Sequence, residues 1–151
     1  MLGWLARGGA VSVESDSLRI RAVGGKPLLA NAKVRADGPV EVRLRIRTPG
    51  NGTGRLQWRT EGQKRFPKSG QTTPFTTRGG NWQELSVPLA VEGRLIHLRL
   101  FPPVQKHPVE IDWIEITPTG DGATGEQRWD FKGAAGAAKP KPKGGASRPT
   151  R

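Results

Sequence analysis

The sequence has no cysteine and no tyrosine, only two histidines, and 13 acidic residues against 25 basic ones. Without cysteine there is neither a disulfide nor a thiolate metal site, an absence that does not fix the compartment. His97 and His107 do not stand at metal-ligand spacing, and no carboxylate pattern accompanies them. Glycosidase chemistry needs two carboxyl groups held about 5 to 9 Å apart, and the scattered Asp and Glu nominate no such pair. No segment approaches the ~18 apolar residues of a membrane span, so no membrane partner is expected. Residues 1–7 lack the apolar stretch of a signal peptide, so this chain encodes none. The expectation is a chain with no active site and no cofactor of its own.

What is abundant is positive charge. The net charge is +12. Residues 1–120 hold 18 Lys and Arg against 10 Asp and Glu, and residues 121–151 hold 7 against 3. The body is therefore basic in its own right and suits an acidic partner: a sulfated or carboxylated polysaccharide, a nucleic acid or an anionic surface. No nucleic-acid-binding motif accompanies the charge, so a nucleic-acid partner is not expected.

Helical periodicity is missing and period-2 alternation is present. In Val40-Glu41-Val42-Arg43-Leu44-Arg45-Ile46-Arg47 the apolar residues point one way and Glu41, Arg43, Arg45 and Arg47 the other. Ile96, Leu98 and Leu100 define a second run. Turn signals separate such runs at short intervals, and residues 78–81 are expected to join 73–77 to 82–89 as a hairpin. Earlier strands are expected at 11–13, 18–23 and 28–34. The alternation breaks in 109–117, where a β-bulge near residues 112–114 reconciles Ile111 and Trp113 with Ile114 and Ile116. Eight or nine strands suit an all-β, antiparallel jelly-roll β-sandwich. The sandwich is assigned to 1–118, and a Gly-rich linker with an extra strand at Arg128–Phe131 to 119–132. A disordered basic tail of Lys, Pro, Gly and Ala is assigned to 133–151.

Arg43, Arg45 and Arg47, with Arg55 or Arg59 beside them on the next strand, form a candidate anion-binding face, since guanidinium forks bind sulfate and carboxylate in bidentate fashion. The alternative is a solvated sheet face partly neutralised by Glu41. Trp113 and Trp58 read as core. Trp82, Phe66 and Phe75 are candidate platforms for stacking on sugar rings, with Arg65 in the basic segment around Phe66. His97 reads as a surface strand residue. Asp112, alone in an apolar strand, is a weak candidate ligand for a structural calcium; the competing role is a hydrogen-bond partner for a neighbouring strand or an arginine.

Four segments carry a resemblance. They are Arg55-Leu56-Gln57-Trp58-Arg59-Thr60, Trp82-Gln83-Glu84-Leu85-Ser86-Val87-Pro88-Leu89, Ile96-His97-Leu98-Arg99-Leu100 and Ile111-Asp112-Trp113-Ile114-Glu115-Ile116. Over residues 4–117 the chain resembles the carbohydrate-binding-like, galactose-binding-domain-like jelly rolls that follow the catalytic domain in bacterial, planctomycete-type sulfatases and glycoside hydrolases. The resemblance implies a non-catalytic accessory domain of a secreted sulfatase or related enzyme, periplasmic or extracellular, with the catalytic domain and acidic or sulfated polysaccharide as partners. The alternatives are a structural sandwich that packs on its catalytic domain and a non-specific polyanion binder.

Two features depart from that pattern. Such modules begin with a Trp-Asp-Phe strand, whereas here Trp129-Asp130-Phe131 comes near the end and Trp4 near the start. They also carry an acidic Asp-Pro after the strand equivalent to Ile96–Leu100, where this chain has Phe101-Pro102-Pro103. The expectation is that Met1 is not the natural start. Arg128–Phe131 then either opens a truncated second copy or fills the vacant first-strand position. Ser147-Arg148-Pro149-Thr150-Arg151 matches the pattern around the catalytic residue of sulfatases, but in a low-complexity segment with no acid nearby it reads as chance.

Overall fold

The computed structural model describes residues 3–23 and 26–131. The tail assigned to 133–151, including the sulfatase-like Ser147–Arg151, lies outside the described residues, as does Met1. Within them every regular element is a strand: β1 (Leu5–Arg7), β2 (Gly9–Glu14), β3 (Ser17–Ala22), β4 (Leu28–Asn31), β5 (Ala36–Asp37), β6 (Val40–Arg47), β7 (Gly52–Thr60), β8 (Thr72–Thr77), β9 (Gln83–Leu89), β10 (Arg94–Phe101), β11 (Val109–Pro118) and β12 (Gln127–Asp130).

The strands form two antiparallel sheets, each with a sixth strand beside its five-strand path. Sheet I runs β1-β4-β10-β7-β8, with β5 also on β10; sheet II runs β2-β3-β11-β6-β9, with β12 also on β11. The chain passes from one sheet to the other repeatedly, as a jelly roll requires. The alternating apolar residues explain why the sheets face each other. Val40, Val42, Leu44 and Ile46 of β6 are all buried, and they meet Leu56, Trp58, Leu98 and Leu100 of the opposite sheet in one core.

Particular turns obey local chemistry. Ser15 and Asp16, at φ 51° and 67°, make the two-residue connection between β2 and β3, matching the twist that hairpins favour. β4 ends at Asn31 rather than continuing to residue 34, because the Asn31 carboxamide oxygen accepts from the Lys33 N–H at 2.8 Å and turns the chain. The bulge expected in 109–117 is present: the β11–β6 register shifts between Ile111 and Trp113. Its effect is larger than expected. Trp113 is buried as expected, at 9% exposure, but beneath Arg43 and Arg128 rather than within the cluster that takes Ile111, Ile114 and Ile116.

Two expected neighbour relations are not found. β8 lies in sheet I and β9 in sheet II, so residues 78–81 make a crossing instead of a hairpin turn. It is fixed by the Gly80 N–H to the Thr48 carbonyl at 2.8 Å. β6 and β7 are likewise in different sheets, which separates Arg55 and Arg59 from Arg43, Arg45 and Arg47. Alternation specifies which side of a strand is inward, not which sheet the strand joins.

β12 lies in the sandwich. It pairs with the half of β11 that β3 leaves open, Ile114 opposite Trp129 and Ile116 opposite Gln127. Phe131 is fully buried, and Trp129 meets the buried Trp4 edge-on at 5.3 Å. The folded unit therefore runs past Pro118 to Phe131. The intervening segment is pinned. Asp37 accepts from the Thr124 N–H at 3.1 Å and from Arg94 at 2.7 Å, and these bonds, the Thr124 N–H first, hold its carboxyl below the usual value. Gly125, at φ +115°, sits where a Cβ would lie 2.4 Å from the Arg35 carbonyl oxygen, so only glycine lets the chain pass.

Phe131→Ala should therefore cost about 3–5 kcal/mol and lower the melting temperature, and ending the chain before Gln127 should lower it at least as far. Thermal melts of the two variants check this; an unchanged melting temperature would place β12 outside the cooperative unit.

Candidate functional site

The two outer faces carry opposite electrostatic arrangements. On sheet II the arginines of β6 face the carboxylates of β11 across one strand spacing. Arg43 reaches Glu115 at 3.3 Å, Arg45 reaches Asp112 at 3.0 Å, and Arg47 grips Glu110 at 2.6 and 2.9 Å. Arg19 approaches Glu110 at 3.4 Å from β3, and Arg128 reaches Glu115 at 2.5 Å from β12. Two indoles are built into this ladder. Arg45 and Arg47 both lie 4.8 Å from the Trp82 ring centre, and Arg128 and Arg43 lie 4.5 and 5.8 Å from that of Trp113. These guanidiniums are already occupied.

Sheet I differs in composition. β1, β4, β7, β8 and β10 contain no Asp or Glu. Its outer face carries Arg7 from β1, Arg55 and Arg59 from β7, and His97, Arg99 and Phe101 from β10. None of these arginines has a carboxylate within ion-pairing distance among the described residues. Their bonds are to neutral acceptors: Arg99 to Gln57 Oε1 at 3.2 Å, Arg55 to Thr72 Oγ1 at 3.4 Å, and Arg59 to the Gln63 carbonyl. Each guanidinium has five N–H groups, so most of that donor capacity is left for a ligand.

Phe66, from the loop 61–71, folds onto this face. Its ring meets His97 at 4.7 Å, and Arg99 lies over it at 3.7 Å; Arg55 covers the Phe101 ring at 3.9 Å. Burial first, then Arg7, Arg55 and Arg59, lower the proton affinity of Arg99. It stays charged, but a neighbouring anion would relieve the repulsion. Burial, then Arg59 and Arg99, hold His97 below the usual imidazole value, and its Nδ1 is buried without a partner. Beside Arg55 opens a cleft of about 390 Å³ lined by residues that include Lys26, Asn51, Pro103 and Gln105.

The candidate residues fall into three groups. Arg59 and Phe66 come together on sheet I, with Arg65 exposed in the adjoining loop. Arg43, Arg45, Arg47 and Trp82 lie together on sheet II, paired or covered by one another. Phe75 is 7% exposed and belongs to the core, so the expected platform is absent; Gly54 opposite it leaves room for its ring. Asp112 takes the arginine-bonded role through Arg45, and no group of three metal-ligating side chains exists among the described residues. The sequence reading missed Arg7 and Arg99. A usable signal was there, since the strands supplying them lack acids, but which strands share a sheet was not known.

Two measurements follow from these environments. Glu110, 12% exposed and bound by Arg47 and approached by Arg19, should on Glu110→Gln cost about 1–3 kcal/mol in denaturant unfolding. For His97, whose ordinary pKa is 6.5, the unfolded chain takes up the proton before the folded one does. Stability should therefore decline as the pH falls through 6.5 and level off below the folded value. His97→Gln should flatten that part of the curve of melting temperature against pH; an unaltered curve would contradict the assignment.

No protein-family model and no curated protein matches the sequence, but solved structures match the fold. The chain is similar to the C-terminal family 6 carbohydrate-binding module of the laminarinase LamC from Zobellia galactanivorans, at TM-score 0.52 and 16% identity, covering 75% of this chain and 90% of that one. It is similar to the CBM22-2 xylan-binding domain of Paenibacillus barcinonensis Xyn10C, at 0.51 and 17%, covering 78% and 92%. It is also similar to the family 29 module CBM29_1 of Piromyces equi, at 0.50 and 16%, covering 80% and 84%. The fold of this chain is thus the antiparallel jelly-roll β-sandwich found in carbohydrate-binding modules.

Proposed function

We propose that the chain is a non-catalytic carbohydrate-binding module that takes acidic or sulfated polysaccharide on the outer face of sheet I. One observation carries this: a sheet whose main strands hold no carboxylate presents Arg7, Arg55, Arg59 and Arg99 together, while the arginines of the opposite sheet are neutralised. Holding like charges together costs free energy, and an anionic ligand recovers it. The solved modules of this fold are named for carbohydrate binding, which supports a glycan over other anions. In this reading the module accompanies a secreted sulfatase or related polysaccharide-processing enzyme and works in the periplasm or outside the cell, as the sequence resemblance implies.

The competing structural role, packing on a catalytic domain, needs a contiguous apolar patch. Among the described residues the exposed large hydrophobics are Leu5, Val23 and Val104, from three separate segments of the chain, and they do not carry that reading.

Affinity electrophoresis in gels carrying sulfated or neutral polysaccharide tests the proposal. Retardation by the sulfated polymer alone, weakening as salt rises, is expected, and Arg99→Gln should weaken it while Arg43→Gln leaves it unchanged. No retardation by any glycan would overturn the reading.

A further inference from the structure

The arginines of sheet I are arranged along a line. Leu5 of β1 and Arg99 of β10 both stand opposite Ala30 of β4, and Arg7 is two residues beyond Leu5. On the other side, His97 stands opposite Arg59 of β7, and Arg99 is two residues beyond His97. Neighbouring strands lie about 4.8 Å apart and alternate residues about 6.8 Å along a strand. The backbone positions of Arg7 and Arg99 are then about 12 Å apart, and those of Arg99 and Arg59 about 8 Å. The three follow one diagonal about 20 Å long across β1, β4, β10 and β7. Arg55 lies off that diagonal, beside the cleft at the Pro102–Val104 loop.

The rings on this face point to the kind of ligand. Arg99 covers one face of the Phe66 ring and Arg55 one face of the Phe101 ring, so those ring faces are closed to a ligand. Stacking of bare sugar faces, or of unpaired bases, is correspondingly disfavoured. Hydrogen-bonded charge pairing is favoured, because Arg99 and Arg55 are each held in place by a ring and a neutral acceptor, and Arg59 by the Gln63 carbonyl.

We propose that a linear glycan bearing sulfate or uronate groups lies diagonally across sheet I, its successive anionic groups meeting Arg59, Arg99 and Arg7, so that the track sets a minimum ligand length. This rests on the glycan-binding reading above and specifies its ligand. Arg59 and Arg99 form the central pair, and a short fragment reaches only these. Arg7 adds a third contact that only a chain long enough to span the sheet can use.

Titration calorimetry with size-fractionated heparin oligosaccharides, from disaccharide upward, tests the track. Affinity should rise by at least about tenfold once the fragment spans the sheet, since the added contact is made within an already bound ligand. Arg7→Gln should remove that rise, weakening the long fragment far more than the disaccharide, while Arg7→Lys restores part of it. The slope of log affinity against log salt should fall by about one with Arg7→Gln for the long fragment. A long-fragment affinity unaffected by Arg7→Gln would overturn the track while glycan binding stands. Equal affinity for duplex DNA of matched length would overturn it in favour of general attraction to polyanions. Binding of neutral xylan or laminarin on this face, with none of heparin fragments, would overturn the track and its ligand class while glycan binding stands. Binding of no glycan would remove the track and the proposed function together.

Discussion

The pairing of β6 with β11 governs the character of the molecule. β6 offers arginines at three of its four outward positions, 43, 45 and 47, and such a row on a central strand would repel itself. Its neighbour answers with Glu110, Asp112 and Glu115, and the bulge in β11 keeps those acids aligned with Arg47, Arg45 and Arg43 while the strand's isoleucines stay in the core. Ladder, bulge and core are parts of one arrangement. Acids are drawn to sheet II by this pairing, and the excess positive charge of the body is left to the other face and the loops.

That division gives the two sides of one sandwich different electrostatic character. The side-chain ladder of sheet II satisfies itself, with indoles enclosed between guanidiniums, and it contributes order to the central strands. Sheet I has the same number of strands but is left with donors that no carboxylate meets among the described residues. Cation–π contacts on both sides hold arginines in fixed positions, which reduces the entropy a ligand would otherwise have to offset on binding. On sheet II the pinned guanidiniums already have their anions; on sheet I they do not.

Much of the fold was legible in the sequence. Strict alternation in Val40–Arg47 revealed strand type and inward face, and the broken alternation around Asp112 revealed the bulge. In the second run Leu98 and Leu100 are inward as expected, but a register shift between Leu95 and His97 buries Leu95 in place of Ile96. The allocation of strands to sheets was not legible, because period 2 is the same in either sheet; hence the misplaced neighbours of β6 and the false hairpin at 78–81. The burial of Phe75 and the surroundings of Trp113 were hidden for a related reason. An indole between isoleucines looks set against them, but the bulge buries it beneath Arg128 and Arg43, and a phenylalanine between Pro74 and Thr76 looks exposed until Gly54 opens a space for it across the strand pair. The C-terminal Trp129-Asp130-Phe131 was visible as a strand, but its place beside β11 depended on the gap β3 leaves there. Most of the candidate site was hidden. Arg7 lies far from Arg99 in sequence, and only the shared partner Ala30 brings them to one face.

The central claim is that ligand meets sheet I and leaves sheet II untouched. Backbone amide resonances followed by NMR during titration with a heparin octasaccharide test it most directly. Shifts concentrated in β1, β7, β10 and the loop 61–71, with β6 and β11 unmoved, are the result this structure predicts. Shifts centred on Arg43, Arg45 and Arg47, or spread evenly over both sheets, would contradict it.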